Sequence, residues 1–466
     1  MNNVCAIIMA AGKGTRMKST LPKVLHLVMG KPMICLVLEQ VKKLGVGQVI
    51  VVVGHGREAV AATVASHTSS GHAPPHGVST VLQEPQMGTG HALAVARPHV
   101  HESIDHLLVL SGDQPLITAE NLHDLVTTHL ARQTAATLLT ASLPWENDLG
   151  RIIRHQDSGL VARIVEAREA LPAERAIREV NLGTYCFART VVDDYLPRLG
   201  TSNAQGEMYI TEIIARAADD GRTVAAVEAI DPHTSIGVNS RRELAQVTAV
   251  LRERINAHWM SEGVSIIDPL TTFIHPDVML GVDTTILPFT TLEGHSSVGE
   301  RSTLGPSTRI VDSRIGNDVV VQNSVLFEAT VDDGSTVGPF AFLRPGADVG
   351  RNCKIGDFVE VKKARIDDHT KIPHLSYVGD AHLGSHVNIG AGTITCNYDG
   401  RHKHRTEIED GAHIGANTNL VAPVRVGRGA VTGAGSVVTR DVPAAAVVAG
   451  VPARQIKSAS PPPPPS

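Results

Sequence analysis

The sequence has few cysteines, little net charge and no long hydrophobic run. Its five cysteines are scattered and include no Cys-x-x-Cys pair, which excludes a dense disulfide framework and favours a reducing compartment. The formal net charge of -5 argues against a nucleic-acid surface, because phosphate backbones select basic faces. No stretch approaches the ~18 apolar residues that span a bilayer, and the first residues lack the basic segment of a signal peptide. We therefore expect a cytoplasmic protein that binds neither nucleic acid nor membrane.

The hydrophobic content is sufficient for two domains. Hydrophobic residues make up 42% of the 466 positions and charged residues 19%, which is a globular composition in a chain too long for one ordinary core. Because the pattern changes along the chain, we predict a domain over residues 1–231, a linker with a helical arm over 232–263 and a second domain over 264–457. The proline-rich tail, 458–466, is expected to be disordered and extended.

The N-terminal part alternates short β-branched runs with helical patterns. Val4–Met9, Val49–Val53 and Leu107–Leu110 have the composition of buried parallel strands, and helical spacing occurs over Ile34–Leu44 and Ala119–Leu130. This alternation predicts a doubly wound, Rossmann-like α/β domain. Such a domain binds its ligands at the carboxyl ends of the strands.

An amphipathic helix is predicted after this domain. Ser240 and Glu243 have the spacing of a capping box, and Gly263 has the position of a helix stop. The apolar residues between these ends fall on one face of the helix: Leu244, Val247, Leu251 and Ile255. We interpret this helix as a connecting arm.

From about residue 264 the hydrophobic period becomes six. Two unbroken series have this spacing: Leu280, Ile286, Leu292, Val298, Leu304 and Ile310, then Val331, Val337, Leu343, Val349, Ile355 and Val361. A helix has a period near 3.6 and a strand a period near 2, so neither explains the pattern. Six residues per short strand and turn do explain it, with one aliphatic side chain per repeat pointing into a stacked prism. The pattern resembles the hexapeptide-repeat family of left-handed parallel β-helices.

The repeat breaks once at length, between Thr393 and Thr406. Insertions in a solenoid project from one face and often carry binding residues. This one is basic within an acidic protein, through Arg401, Lys403 and Arg405, and this favours a functional loop over a tolerated surface loop.

A loop of small residues follows the first strand. Ala10, Ala11 and Gly12 let a nucleotide approach the backbone, and the glycine frees amide groups to face phosphate oxygens. Three cations surround this loop, as a polyphosphate requires: Lys13, Arg16 and Lys23. With its spaced lysines, the segment resembles the signature of the sugar-1-phosphate nucleotidyltransferases.

Further segments resemble that family in the same order along the chain. The resemblance implies that the nucleotide and sugar contact the following residues: Gln83, Gly88, Thr89, Gly150, Glu166, Asn181 and Asn239. It also implies that Asp113 and Asn239 hold Mg²⁺, which prefers carboxylate and amide oxygens. Arg16 and Lys23 then neutralise charge as the substrate phosphate attacks the nucleotide.

The second domain carries a different set of polar residues. His374 lies between Ile372 and Val378 within a polar and basic patch, and it is our candidate base for transfer of an acetyl group to an amine. An anionic, hydroxylated acceptor would be held by nearby side chains: Arg344, Lys362, Tyr377 and Lys403, with Glu360 accepting hydrogen bonds.

Except for the proline tail, essentially the whole chain resembles the bifunctional N-acetylglucosamine-1-phosphate uridyltransferase/glucosamine-1-phosphate acetyltransferase family. The resemblance implies that acetyl-CoA acetylates glucosamine 1-phosphate in the β-helix, and that UTP then reacts with N-acetylglucosamine 1-phosphate in the N-terminal domain. It also implies a homotrimer and adds Asn388 to the acceptor site. The implied acetyl-CoA contacts are Ala391, Asn397, Tyr398, Ala416, Ala434 and Gly450.

The chain departs from this family pattern at three places. Ala416 replaces a serine of many members in the coenzyme A site, and Gly450 replaces an arginine of some members. Leu149-Gly150-Arg151 replaces a Tyr-Gly-Arg segment on the sugar side. The first two replacements remove side-chain contacts to coenzyme A and leave backbone contacts near Ala391 and Ala434.

Two alternative functions remain open from the sequence. One is a nucleotidyltransferase with a single activity, whose β-helix serves only to oligomerise. His374 and the loop with Asn397 and Tyr398 argue against it. The other is a non-catalytic scaffold, which would have had no reason to keep Lys23, Asp113 and Asn239 together.

Overall fold

The computed structural model describes residues 1–69, 73–201 and 206–458, so the predicted disordered tail lies outside the described residues except for Ser458. The chain divides into two compact units, Met1–Leu251 and Arg252–Ser466. The division falls within a helix, Arg241–Ser261. The finer domain boundaries at residues 231 and 263 stay predictions.

The first unit is built on one central sheet with helices around it. Its strands lie in the order Val224–Glu228, Ala136–Ser142, Glu179–Ala188, His106–Ser111, Val4–Ala10, Gln48–Val53 and Val78–Leu82. A hairpin of Arg151–Arg154 and Val161–Val165 extends from Glu179–Ala188. The α-helices are Met33–Leu44, Arg57–Thr68, Thr89–Ala96, Ala119–Arg132, Pro172–Arg175, Arg189–Tyr195, Thr211–Asp219 and the shared Arg241–Ser261.

The three predicted strands form the parallel centre of this sheet. Ile7 pairs with Ile50 on one side and with Val109 on the other, and all three are fully buried. Burial on both faces explains the unbroken hydrophobic runs. The strand Glu179–Ala188 runs antiparallel to both of its neighbours, so the sheet is mixed. The Rossmann-like prediction is confirmed, with this strand and the hairpin strand Val161–Val165 reversed.

The connecting helix begins as its sequence predicts. The Glu243 carboxylate accepts hydrogen bonds from the backbone N–H groups of Ser240 and Asn239, both at 2.7 Å, and the Ser240 hydroxyl accepts from Glu243 N–H at 3.4 Å. These bonds complete the capping box.

The second unit is a stack of short strands on three faces. Face 1 contains Ser265–Ile266, Thr285–Ile286, Thr303–Leu304, Val320–Val321, Thr336–Val337, Lys354–Asp357, Lys371–His374, Asn388–Ile389, His413–Ile414, Val431–Thr432, Ala446–Gly450 and Ala453–Ser458. Face 2 contains Phe273–Ile274, Thr291–Glu293, Arg309–Val311, Val325–Phe327, Phe342–Leu343, Glu360–Lys362, Tyr377–Gly379, Ile394–Cys396, Asn419–Val421 and Val437–Val438. Face 3 contains Met279–Leu280, Ser297–Val298, Arg314–Ile315, Thr330–Val331, Ala347–Val349, Ala364–Ile366, Ala381–Leu383, Thr406–Ile408 and Val424–Val426.

The six-residue series forms the core of this stack. Ile286 pairs in parallel with Leu304, and both are fully buried, as are Leu343 and Val361 one coil apart on face 2. The strands within each face pair in parallel, except that the last two of face 1 form an antiparallel hairpin. The prediction of a parallel β-helix is confirmed.

The predicted break is shorter than expected. Ile394–Cys396 is still a strand, and Thr395 pairs with Leu420 of the next coil. The insertion is therefore confined to residues 397–405, between faces 2 and 3. Asp399 organises it by accepting hydrogen bonds from the N–H groups of Arg401 and His402 and from the His404 ring. These bonds lower the pKa of Asp399 to about 2.

Two candidate active sites

In the first unit, Lys23, Asp113 and Asn239 meet in one cluster. The Lys23 ammonium donates to the Asp113 carboxylate and, at 3.1 Å, to the Asn239 side-chain oxygen. Asp113 follows the strand His106–Ser111, and Asn239 precedes the helix Arg241–Ser261. The sequence-based grouping of these residues corresponds to real contact, at the carboxyl end of a central strand.

Backbone bonds fix the two oxygen-bearing residues relative to each other. The Val238 N–H donates to the Asp113 carbonyl at 2.9 Å, and the Asn239 N–H is held by Glu243. The cap at the start of the helix therefore positions Asn239 as well. Glu243 was identified from sequence only as a capping residue.

The glycine loop packs directly against Lys23. Gly14 has φ 59°, and a Cβ there would lie 2.7 Å from the Cβ of Lys23, so no other residue fits without displacement. Ala10 and Ala11 are buried, while Gly12, Lys13 and Arg16 are exposed. The structure thus brings Lys23 to the carboxylate cluster and leaves Arg16 facing solvent beside the loop.

The predicted base-reading segment folds back on itself. Gln83 is buried and its amide donates to the Gly88 carbonyl at 2.9 Å. Gly88 has φ 98°, and a Cβ there would lie 2.7 Å from the Met208 carbonyl. The Thr89 hydroxyl accepts from Ile210 N–H at 3.2 Å. Gln83, Gly88 and Thr89 are therefore neighbours at the start of the helix Thr89–Ala96.

The predicted sugar residues lie together around the strand Glu179–Ala188. The Asn181 N–H donates to the Gly150 carbonyl at 2.8 Å, and the Asn181 amide donates to the Tyr185 hydroxyl at 2.7 Å. Burial, followed by the charge of Glu169, raises the pKa of Glu166. The Arg151 guanidinium instead donates to Asn147 and to the Leu149 carbonyl, so it holds the loop before Gly150.

The Asp113 and Asn239 oxygens fit a magnesium ion. One carboxylate and one amide oxygen converge on a single cation, the Lys23 ammonium, and are hard donors of the kind Mg²⁺ prefers. No cluster of three or more His, Cys, Asp and Glu side chains suited to a metal occurs in residues 1–69, 73–201 and 206–458. A metal at this cluster would therefore take its remaining oxygens from nucleotide phosphates and water.

In the second unit, His374 forms a pair with Asp357. The two residues lie side by side on successive coils of face 1, and the His374 Nδ1 contacts the Asp357 carboxylate. This contact is the largest cause of the lowered pKa of Asp357. An ionised Asp357 can only accept, so in the neutral ring Nδ1 carries the proton and Nε2 keeps its lone pair. His374 is half exposed, at 52% of its side chain.

The predicted coenzyme A residues continue the same edge. Ile389 pairs with Ile414, Ile414 with Thr432 and Thr432 with Val448. Two residues beyond these pairs, at or just past the strand ends, the same stacking of coils aligns one column of residues: Asp357, His374, Ala391, Ala416, Ala434 and Gly450. We call it the 374 edge. Beyond His374 it carries only methyl groups and a hydrogen.

The predicted acceptor residues are divided between two faces. Arg344, Lys362 and Tyr377 belong to face 2, where the Arg344 guanidinium donates to the Glu360 carboxylate at 2.7 Å. The adjacent Lys362 ammonium lowers the pKa of Lys403, so two cations lie close together. Asn388 lies on face 1, where it pairs with Lys371 of the preceding coil.

The inserted loop lies across face 2 from the 374 edge. Its Asn397 is buried and donates to the Asp380 carboxylate at 2.5 Å and to the Tyr377 hydroxyl at 3.4 Å. Tyr398 is 59% exposed and donates to the Gly400 carbonyl at 2.7 Å. Because the loop joins faces 2 and 3, while the 374 edge joins faces 1 and 2, one chain presents these groups at opposite borders of face 2.

Sequence reasoning missed Asp357. The available signal was its separation of 17 residues from His374, close to one coil of three hexapeptides. A carboxylate one coil before a candidate base is predicted to stack beside it.

Each of the two units contains a segment that matches a known protein family. Residues 6–181 match the model of the MobA-like NTP transferase domain, and residues 405–440 match that of the bacterial transferase hexapeptide repeats. Among solved structures, a UDP-glucose pyrophosphorylase complexed with UDP-glucose aligns with 56% of this chain and 100% of its own, at 16% identity and a TM-score of 0.44. That similarity is too weak to support a conclusion. No helix in the described part of the chain could cross a membrane.

Curated relatives match almost the full length. The bifunctional protein GlmU of Heliobacterium modesticaldum is 49% identical over 96% of this chain and 95% of its own. Those of Desulfitobacterium hafniense and Syntrophomonas wolfei are each 48% identical, over 95% and 94% of this chain respectively and 95% of their own lengths. With identity this high over both units, the chain belongs to the family of bifunctional GlmU proteins.

Proposed function

We propose that the two clusters catalyse successive steps of UDP-N-acetylglucosamine synthesis. As a member of its family, the chain is both a nucleotidyltransferase and an acetyltransferase acting on small molecules. The β-helix acetylates glucosamine 1-phosphate, and the first unit joins the product to the uridylyl group of UTP. The observation that carries the second activity is the His374–Asp357 pair at the head of the 374 edge.

In the uridylyl transfer, an oxygen of the sugar phosphate attacks the α-phosphorus of UTP. A bond forms between this oxygen and the α-phosphorus. The bond from the α-phosphorus to the oxygen that bridges to the β-phosphorus breaks, and pyrophosphate leaves. The backbone of Ala10, Ala11 and Gly12 receives the phosphates, and Arg16 and Lys23 offset their charge. A magnesium ion held by Asp113 and Asn239 would supply further neutralisation of the triphosphate.

The remaining predicted residues of this unit select the two substrates. Gln83, Gly88 and Thr89 border the position of the uracil base, at the start of the helix Thr89–Ala96. Gly150, Glu166 and Asn181 border the N-acetylglucosamine, and Asn181 is fixed there by its bonds to Gly150 and Tyr185.

In the acetyl transfer, His374 Nε2 removes a proton from the ammonium of glucosamine 1-phosphate. The freed amine attacks the thioester carbonyl of acetyl-CoA, so that a C–N bond forms and the C–S bond breaks. The nitrogen loses a second proton to become an amide, the coenzyme leaves as a thiol by taking up one proton, and the proton on His374 returns to solvent. Asp357 is a positioning residue that holds the proton on Nδ1 and leaves Nε2 as the base.

The second-unit residues on either side of His374 hold the two substrates. The side chains of Arg344, Lys362 and Tyr377, with Asn388 from face 1, bind the acceptor and its phosphate. The small side chains of Ala391, Ala416 and Ala434, with Gly450, let the coenzyme lie against the backbone of the 374 edge.

A second copy of the chain completes the acetyl site. Asn397 and Tyr398 contact the coenzyme as well, yet in one chain they lie across face 2 from the 374 edge. A homotrimer packed around face 2 places the loop of one subunit beside the 374 edge of the next. Sedimentation should show a trimer, and a monomer that acetylates at nanomolar concentration contradicts this arrangement. We further propose that the enzyme acts in the cytoplasm.

One set of assays tests both activities. Glucosamine 1-phosphate and acetyl-CoA alone should give N-acetylglucosamine 1-phosphate, and addition of UTP and Mg²⁺ should then give UDP-N-acetylglucosamine and pyrophosphate. An enzyme that converts only supplied N-acetylglucosamine 1-phosphate is a uridyltransferase with a structural β-helix. Absence of both products under these conditions contradicts the proposal.

A further inference from the structure

The Lys23 ammonium uses the same two oxygens that we propose as magnesium ligands. It donates to Asp113 and, at 3.1 Å, to Asn239. The contact is sheltered, since the Lys23 and Asp113 side chains are only 14% and 17% exposed. Solvent therefore screens the charges weakly.

A divalent cation and this ammonium cannot share the position. Magnesium needs its oxygen ligands at about 2.0–2.1 Å in near-octahedral geometry, and Asp113 and Asn239 cannot meet that demand while they bind the ammonium. The ammonium and a magnesium ion bound to the same two oxygens would also repel each other, because solvent screens charges weakly in this site. Binding of the metal therefore requires Lys23 to move.

The glycine loop provides the ammonium with a second position. The Lys23 side chain packs on Gly14, because a Cβ added there would lie 2.7 Å from Lys23 Cβ and 3.4 Å from both Cγ and Cδ. The flexible four-carbon stem thus runs between the oxygen cluster and the loop that receives the phosphates. Rotation of its outer bonds would carry the charge from the carboxylate to a phosphate.

We propose that Lys23 excludes the divalent cation from Asp113 and Asn239 until nucleotide phosphates draw the ammonium away. Metal and nucleotide then bind with positive cooperativity. The phosphates take the ammonium away from the metal ligands, and the metal takes those ligands away from the ammonium, which is then free to bind phosphate. The inference rests on the proposed metal site and adds an order to its assembly: the metal enters with the nucleotide and binds poorly before it.

Binding of Mn²⁺, followed by electron paramagnetic resonance on the full-length chain, tests this without turnover. Lys23→Met keeps the length of the stem and removes the charge. Lys13→Met is the matched control, because it removes one positive charge from the exposed side of the same loop. Without nucleotide, Lys23→Met should bind Mn²⁺ at least ~10-fold more tightly than the wild type, and Lys13→Met should change the affinity less than ~2-fold.

Nucleotide should raise the Mn²⁺ affinity of the wild type more than that of Lys23→Met. A UTP analogue with a methylene bridge between the α- and β-phosphates should tighten Mn²⁺ binding in both proteins, because its phosphates supply further ligands. The gain should be at least ~10-fold larger in the wild type than in Lys23→Met, which has no ammonium to displace. Equal Mn²⁺ affinities of wild type and Lys23→Met without nucleotide would overturn the proposal.

Asp113→Asn separates this failure from failure of the metal site itself. It should abolish the tight Mn²⁺ binding of Lys23→Met in the double variant. If Asp113→Asn leaves Mn²⁺ binding unchanged in every background, both the metal site and the exclusion by Lys23 are wrong. If it abolishes binding while Lys23→Met matches the wild type, the metal site stands and the exclusion is wrong. Thermal melts verify that each variant is folded.

Discussion

The two candidate sites are assembled by opposite means. Lys23 reaches across 90 residues of sequence to Asp113 and 216 to Asn239, and only the order of strands in the sheet brings them together. His374 and Asp357 are 17 residues apart and meet because successive coils stack in register. A sheet gathers chemistry at the ends of its strands, whereas a solenoid gathers it along an edge. The predictions below test how independent these two arrangements are.

Removal of the β-helix should have the largest effect. A chain ending at Gly263 should lose acetyl transfer entirely and keep uridylyl transfer, because the two residue sets lie in separate compact units. Both products are measured on the same preparation. A truncated chain that is folded by circular dichroism yet inactive in uridylyl transfer contradicts the separation.

His374→Ala should lower acetyl transfer by ~10²–10⁴-fold, the usual contribution of positioned proton transfer. Uridylyl transfer should be unchanged, because Lys23, Asp113 and Asn239 belong to the other compact unit. The control is His295→Ala, which alters another exposed histidine of the same unit. Acetylation within a few-fold of the wild type would remove His374 from the role of base.

Asp113→Ala should lower uridylyl transfer by ~10²–10³-fold, since one charge-stabilising group is lost from the transition state. Acetyl transfer is the internal control and should stay close to the wild-type rate. Equal losses of both activities would show that Asp113 supports the fold, and the site would then need another magnesium ligand.

Asp357→Asn should lower the kcat of acetyl transfer by ~10–10²-fold with little change in KM, as expected for loss of a group that orients a catalytic side chain. Asparagine can still contact Nδ1 but does not require a proton there. The kcat and KM are measured separately for both substrates. A rise in KM alone would mean that Asp357 binds substrate.

Acid should destabilise the first unit through a buried histidine. The His129 ring is 1% exposed, and burial, with a smaller contribution from the adjacent His106, lowers its pKa to about 4. In the unfolded chain it takes a proton near pH 6.5, so its contribution to stability is complete above that pH and decreases as the pH falls towards 4. The expected loss in unfolding free energy is up to ~3 kcal/mol. Between pH 7.5 and 4.5, the melting temperature should depend less on pH in His129→Asn than in the wild type. An equal dependence in both proteins would show that His129 does not cause the acid destabilisation.

The sequence grouped in advance most of the residues that the structure brings together, on grounds that differ between the two candidate sites. Lys23, Asp113 and Asn239 were grouped by resemblance to a known family, and hydrophobic periodicity added the strands and the helix beside which Asp113 and Asn239 lie. Side-chain partners carry no such periodicity. Arg151 was placed beside the sugar segment, but its guanidinium binds the Asn147 loop. Asp357 was overlooked because stacking of coils becomes visible only when the register is known.

Loop and face positions were also less predictable. The insertion was expected from Thr393, yet Ile394–Cys396 retains ladder bonds that make a strand of it. Asn388 was grouped with Arg344 and Lys362 by resemblance, whereas the structure assigns it to another face. Period identifies a β-helix, but the count of residues at every corner decides which face a polar side chain occupies.

The stacking of the 374 edge has an evolutionary consequence. Each coil pairs only with the coils directly before and after it, so whole coils can be gained or lost elsewhere by duplication or deletion without changing the neighbours of His374. Within the 374 edge, a point mutation at Ala391, Ala416 or Ala434 changes the surface of one coil only. A lineage can therefore change the length of the solenoid and the proposed coenzyme contacts separately, in small heritable steps, while the sheet site offers no such modular route.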